Sequence, residues 1–233
     1  MNMSAPSPEP VVPRYMNLEE WVTLPGDRAL RSALAKADSV DDPSVLDYQK
    51  NKLDTALSFV KEFHTAVDAG ANYGIVSFNL NNKFSKVYAF EIETSVRECL
   101  KKNVGKFQLK NVVVCDCGLS DKEESVALTY EKTSFGTHVN RTKSGDFVCN
   151  TLDSFDLTDI SFIKIDCEGY EPFILAGAEK TIKKYLPVIF MEDKGHSKRY
   201  YGTEGNLAVE LLLSWGYKIA QQWPKDCVMI YAE

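Results

Sequence analysis

The chain lacks any long apolar run, and this limits the class of protein it can form. Its apolar stretches, such as residues 188–191, are short, whereas a membrane-spanning helix needs about 20 apolar residues. Residues 1–10 are polar and proline-rich, without the charged-then-apolar pattern of a secretory signal. We therefore expect no association with a membrane.

Motifs for metal binding and for nucleic-acid binding are also scarce. The six cysteines include no C-x-x-C pair, and Cys115 and Cys117 lie two apart in a β-like run, where side chains point to opposite faces. We expect buried thiols in a reducing cytoplasm rather than disulfides or zinc ligands. The net charge of −6 argues against a general nucleic-acid coat, although it allows a local basic groove.

Strand and helix patterns alternate along most of the chain. The strand-like runs are 64–68, 86–91, 111–116, 161–166, 187–192, 217–222 and 227–232, and the helical runs are 73–82, 94–105, 171–184 and 205–215. This alternation predicts an α/β fold, with a mostly parallel seven-stranded sheet and helices on both faces. The short turn between the last two strands permits only an antiparallel C-terminal hairpin strand.

The ends of the chain and one internal segment differ from this pattern. Residues 1–13 are expected to form a disordered tail, and 14–40 an N-terminal helical extension that is a candidate lid. The domain is expected to span 41–233, beginning with a helix that starts at Asp42 and Pro43. Residues 120–150 are the least regular part, although 126–130 are compatible with an extra strand.

The segment from His64 to Gly74 is the most informative one. An apolar strand leads into the loop G-A-N-Y-G, which is neither the G-x-G-x-x-G of a dinucleotide site nor a P-loop. Asp68 precedes the first glycine and would suit a cation rather than a pyrophosphate. Glu91 ends the next strand, where an acid commonly binds a ribose hydroxyl. A ligand with an adenosine at one end and a positive charge at the other fits, and S-adenosylmethionine (SAM) is such a ligand.

Each expected contact with SAM follows from its place in this pattern. Asp68 would hold the cationic end, and Glu91 would accept hydrogen bonds from the ribose diol. Asp116 or Cys117 would contact the adenine. The residues expected to bind the cofactor are Asp68, Gly70, Asn72, Gly74, Glu91, Asp116, Cys117 and Asp166.

Acidic residues at the strand ends provide candidates for catalysis. Ligands of open α/β sheets bind at the carboxyl ends of strands, where Asp166 is expected at the point of transfer. Glu168 follows in the same cleft, and neighbouring carboxylates raise the pKa of one member, which makes a usable base. Lys194 lies in a loop at 192–196 that is expected to cover the acceptor. We expect no metal, because no D-x-D pair or histidine-rich cluster ends a strand.

The stretch S-F-I-K-I-D-C-E-G-Y-E-P-F-I-L-A-G-A at 161–178 resembles the signature of FkbM-type methyltransferases. Further matches follow the family's order: V-D-A-G-A-N-Y-G (67–74), A-F-E (89–91), G-L-S-D (118–121), T-L-D (151–153) and L-P-V-I-F-M-E (186–192). The resemblance implies a class I Rossmann-like fold and methyl transfer from SAM, usually to an oxygen. Ile92 stands where members of the family commonly have proline.

Three functions remain open from the sequence. The first is O-methylation of a hydroxyl on a sugar or other small molecule. The second is ribose 2′-O-methylation of RNA by a Lys-Asp-Lys-Glu set, for which Lys50 or Lys52, Asp166 and Lys194 are candidates and the glutamate has no clear match. The third is a non-catalytic SAM-binding module, which the presence of Asp166 and Glu168 disfavours.

Overall fold

The computed structural model describes residues 21–27, 50–130, 137–192, 194–203 and 206–232. The expectations for the tail at 1–13, for most of the extension at 14–40 and for the helix start at Asp42 lie outside these residues. The described helices are α1 Lys50–Leu57, α2 Ile75–Asn81, α3 Thr94–Lys106, α4 Glu171–Ala176, α5 Glu179–Tyr185, α6 His196–Tyr201 and α7 Leu207–Ser214.

Seven strands form the central sheet, in the order β10-β11-β9-β8-β1-β2-β3. They are β1 Thr65–Ala69, β2 Lys86–Phe90, β3 Val112–Cys115, β8 Ile160–Ile165, β9 Val188–Glu192, β10 Tyr217–Gln222 and β11 Asp226–Tyr231. Among these seven strands, β11 alone runs in the opposite direction to the others, and it pairs antiparallel with both β10 and β9. The predicted parallel sheet with one antiparallel hairpin strand is confirmed.

The central strands are apolar on both faces because helices cover both sides of the sheet. On β8, Phe162 packs into one core cluster and Ile163 into the other. Every residue of β1 and of β9 is buried. This near-continuous burial is typical of parallel strands between two helical layers, and it leaves the carboxyl ends of the strands as the place for a ligand.

The segment at 120–150 is more regular than its sequence indicates. It contributes to a second sheet in the order β4-β7-β5-β6, made of β4 Gly118–Leu119, β5 Glu124–Thr129, β6 His138–Asn140 and β7 Phe147–Asn150. The extra strand expected at 126–130 therefore overlaps β5, and the same irregular segment also contains β6. Short strands separated by polar turns leave little periodic signal, which explains the difference.

The expectations for one helix and one loop were also wrong in detail. The helix expected at 171–184 divides at Gly177, where a Cβ atom would lie 1.9 Å from the carbonyl oxygen of Ser120. The loop expected at 192–196 continues into α6, which is bounded by Gly195 and Gly202. Both glycines have positive φ, +70° and +67°, so they turn the chain into and out of the helix.

Residues 21–27, within the expected helical extension, contain a bend and a turn and no helix. Trp21 is nevertheless only 5% exposed, and its ring contacts Phe78 and Phe107, with centroid distances of 6.1 and 4.8 Å. Asp27 accepts a hydrogen bond from the Tyr73 hydroxyl at 2.7 Å. A deletion of residues 1–40 would therefore remove part of the core as well as the candidate lid.

Candidate functional site

A cleft lies at the carboxyl ends of β1, β2 and β8, and it encloses about 1100 Å³ including the space open to solvent. The loop after β1 and the turn after β8 form two of its sides. Of the residues predicted to bind cofactor or to act in catalysis, the cleft is lined by Gly70, Asn72, Glu91, Asp166 and Glu168. The fold therefore brings these five residues to one cleft.

The loop after β1 is held in a tight left-handed turn. Gly70 has a φ of +74°, and its N–H donates to the carbonyl of Phe90 at 3.0 Å. A Cβ atom at Gly70 would lie 2.0 Å from the backbone oxygen of Asp166. Glycine is required here because the loop after β1 touches the turn after β8.

Glu91 is fixed in position by the backbone of two loops. Its two carboxylate oxygens accept the N–H groups of Asn72 and Glu93, at 2.9 and 3.0 Å. Burial raises the pKa of Glu91, and these two hydrogen bonds oppose the shift. Each oxygen accepts one backbone hydrogen bond and keeps a further lone pair for a ligand.

Asp68 is fully buried and does not line the cleft. It is the cross-strand partner of Lys164, whose ammonium lies 3.3 Å from its carboxylate. The Ser77 hydroxyl donates to the same carboxylate at 2.6 Å, and Lys164 donates to the carbonyl of Gly70 at 2.8 Å. Contrary to the prediction from the sequence, Asp68 is therefore not placed to contact the cofactor directly. It instead holds Lys164, which in turn hydrogen-bonds the loop after β1 at Gly70.

Asp116 and Cys117 also lie away from the cleft. The Asp116 side chain is 69% exposed and pairs with Lys101 at 2.6 Å and with Arg97 at 3.3 Å. Lys101 is the main cause of its lowered pKa. Cys117 is buried, and burial raises the pKa of its thiol. The wall predicted to contact adenine is instead lined by the next residue, Gly118, and its neighbours.

Gly74 serves the packing of a helix rather than the lining of the cleft. It precedes α2 with a φ of +97°, and a Cβ atom there would lie 2.5 Å from the side chain of Leu100. The apolar residues that do line the cleft were missed by the sequence analysis. They include Ile75, Phe90, Ile92, Val96, Leu119, Val139 and Ile174.

The turn after β8 has an unusual conformation that a buried acid stabilises. Glu168 has a φ of +54°, and Glu171 accepts the N–H groups of Cys167 and Gly169 at 2.9 and 3.2 Å. Burial raises the pKa of Glu171 to about 7. This turn places Asp166 and Glu168 together along the cleft.

Glu168 also belongs to a cluster of charged residues behind the cleft. Its carboxylate lies 2.9 Å from Nδ1 of His196 and 3.8 Å from the ammonium of Lys194. Lys194 pairs with Glu192 as well. Lys194 and His196 line a smaller adjoining pocket and not the main cleft. The predicted catalytic Lys194 therefore acts first as a counter-ion to these two acids.

The lysines of the ribose-methylating alternative do not reach the cleft. Lys50 pairs with Asp54 at 2.8 Å, and Lys52 pairs with Asp226 at 2.5 Å. Neither lysine lines the main cleft. The arrangement of described residues therefore gives no support to a Lys-Asp-Lys-Glu set.

Comparison with known proteins agrees with this fold. The profile of the methyltransferase FkbM domain matches residues 68–219, more than half of the chain. The chain belongs to the FkbM methyltransferase family. No curated protein sequence matches it.

Solved structures show the same fold at low sequence identity. FkbM methyltransferase from Methylobacillus flagellatus KT is 20% identical, with a TM-score of 0.51 over 73% of this chain and 44% of that one. A candidate methyltransferase of Streptococcus mutans, solved in complex with S-adenosylhomocysteine (SAH), is 15% identical, with a TM-score of 0.50 over 78% and 97% of the two chains. Precorrin 8W decarboxylase of Methanobacterium thermoautotrophicum is 14% identical, with a TM-score of 0.52 over 92% and 98%.

These relationships establish a SAM-dependent methyltransferase family and a class I methyltransferase fold for this FkbM chain. The chain spans less than half the length of the Methylobacillus protein. Among the described residues, no helix combines the length and the apolar character that crossing a bilayer requires.

Proposed function

We propose that this FkbM chain binds SAM and methylates a hydroxyl group on a sugar or another small molecule. The observation that carries the proposal is one cleft with Glu91 fixed on one side and Asp166 and Glu168 on the other. A carboxylate suits a ribose diol because both of its oxygens are acceptors. Negative charge at the opposite side suits a sulfonium.

The residues present fit the cofactor in shape as well as in charge. The apolar wall formed by Ile92, Val96 and Leu119 lies beside Glu91 in the same cleft and offers a surface for a flat base. The loop at Gly70 would bring its backbone close to the ligand, and Lys164 holds that loop by donating a hydrogen bond to the carbonyl of Gly70. When bound, SAM supplies an electrophilic methyl group on a positively charged sulfur.

The acceptor must lose a proton when its oxygen takes the methyl group. In this proposal Asp166 accepts that proton or orients the hydroxyl, and Glu168 is the second candidate, since both line the cleft. Lys194 lies 3.8 Å from Glu168 and places a positive charge beside that carboxylate. Aligning the hydroxyl for in-line attack is the larger part of the protein's task.

The extension at 14–40 is proposed to shape the acceptor side of the cleft. Its described part contacts Tyr73 through Asp27, and Tyr73 lines the cleft. A change in the extension that moves Asp27 would therefore also move Tyr73 in the cleft wall.

Replacing Glu91 with alanine is expected to weaken binding of SAH by about 10- to 150-fold. Losing hydrogen bonds to a charged group costs about 1.5–3 kcal/mol, and each 1.4 kcal/mol is a factor of about ten. Isothermal calorimetry measures this directly. The matched control is Glu98→Ala, since Glu98 is exposed on α3 and pairs with Lys101. Equal SAH affinity in the Glu91 variant and the wild type would remove Glu91 from the site.

A methyl-transfer screen with radiolabelled SAM tests the acceptor class. The acceptors compared are glycans, small hydroxylated molecules, nucleotides, and capped and uncapped RNA. We expect label on a sugar or small-molecule hydroxyl, because the lysines of the RNA alternative pair elsewhere. Label on RNA alone would contradict the proposed acceptor, and SAH binding without transfer to any acceptor would favour the non-catalytic module.

A further inference from the structure

Three side chains that are distant in sequence meet behind the cleft with the composition of a metal site. Glu168 follows β8, Glu192 ends β9, and His196 begins α6. One ligand atom from each lies within 4.8 Å of the others. Nδ1 of His196 is 2.9 Å from Glu168 and 4.0 Å from Glu192.

Glu192 is the most deeply buried member of this cluster. Its side chain is only 2% exposed, and its carboxylate pairs with the ammonium of Lys194. A buried carboxylate is costly unless a cation balances it.

Lys194 supplies the nearest positive charge. Its ammonium pairs with Glu192 and lies 3.8 Å from Glu168. The side chain is 28% exposed, so its ammonium is within reach of solvent. One ammonium carries a single positive charge for the two acids Glu168 and Glu192, whereas a divalent cation would carry two and would also coordinate the imidazole of His196.

We propose that Glu168, Glu192 and His196 bind one divalent first-row transition cation, which exchanges with the ammonium of Lys194. Two carboxylates and one imidazole favour Mn²⁺ or Zn²⁺ over Mg²⁺ and Ca²⁺, which prefer oxygen ligands alone. Our metal-free expectation relied on motifs local in sequence, and these ligands come from three separate elements. Because Glu168 lines the cleft, the ion would stand beside the acceptor hydroxyl, and this last consequence rests on the proposed function.

Titration of the full chain with Mn²⁺ alone, followed by the electron paramagnetic resonance signal of the free ion, tests the site. Mn²⁺ is the suitable probe because the six cysteines bind it poorly and would bind Zn²⁺ well. We expect one equivalent to bind. His196→Ala and Glu168→Gln should each weaken binding by about tenfold or more, and Lys194→Met should tighten it by removing the competing charge.

His64→Ala is the matched control, since His64 pairs with Glu62 at 2.8 Å on the surface and should have no effect. Circular dichroism checks that each variant is folded. Equal Mn²⁺ binding in the wild type and in His196→Ala, or no tightening in Lys194→Met, would overturn the proposal and leave an ion-pair network. SAH calorimetry on the same samples keeps this result separate, because a chain that binds Mn²⁺ and not SAH contradicts only the proposed function.

Discussion

Replacing Asp166 with asparagine is expected to lower turnover by about 10²- to 10⁴-fold, while SAH affinity changes by no more than a few-fold. General acid–base catalysis contributes this much in enzymes, and a group used mainly in the transition state affects turnover rather than binding. Asparagine keeps the size of the side chain and removes its ability to accept a proton. The measurement is the rate of methyl transfer to the acceptor found by the screen, together with SAH calorimetry.

Asp116→Asn is the matched control for this substitution. Asp116 also follows a strand of the same sheet, but it is largely exposed and pairs with Lys101 and Arg97. Turnover should therefore stay close to that of the wild type. If Asp166→Asn and Asp116→Asn show the same turnover, Asp166 has no role in transfer, and Glu168 becomes the better candidate for the base.

The fold could be predicted from the sequence because parallel strands buried on both faces need continuous apolar runs. β9 is largely apolar, and β1 and β8 are apolar apart from a few polar residues such as Asp68 and Lys164. The short turn between β10 and β11 allows only antiparallel pairing. The second sheet could not be predicted in the same way. Its strands β4 and β6 have only two and three residues, which is too short for a period to emerge.

The cleft was predicted in part because ligands bind at the carboxyl ends of strands. The rule selected Glu91 and Asp166, which line the cleft, and it selected Asp116 by the same reasoning, although that side chain turns toward Lys101. Sequence position gives the end of a strand but not the direction of the side chain that follows. Only the neighbouring helix, which supplies Lys101, decides that direction.

The ion pair between Lys164 and Asp68 could have been predicted from the sequence. Lys164 interrupts the apolar strand β8, and Asp68 interrupts the apolar strand β1. A lone charge in a buried strand needs a partner of opposite sign, and these two are opposite each other in the sheet. Glu168, Glu192 and His196 gave no such signal, because a turn with positive φ and an unexpected helix bring them together.

Replacing Gly70 with alanine is expected to lower the free energy of unfolding by about 2–5 kcal/mol and to abolish measurable SAH binding. Two costs add at this position. The backbone has a φ of +74°, and the new Cβ atom would lie 2.0 Å from the carbonyl oxygen of Asp166. That atom belongs to the backbone, so relief requires the turn after β8 to move away from the loop. Chemical denaturation and SAH calorimetry measure the two effects.

Gly202→Ala separates the two costs. Gly202 has a similar φ of +67°, and no atom lies within 4 Å of the position that its Cβ would take. The conformational cost alone, about 1–2 kcal/mol, is expected there, with SAH affinity unchanged. If the two alanine variants have equal stability and both bind SAH, the contact between the loop after β1 and the turn after β8 is not required. The difference between them therefore measures how far the cleft depends on that contact.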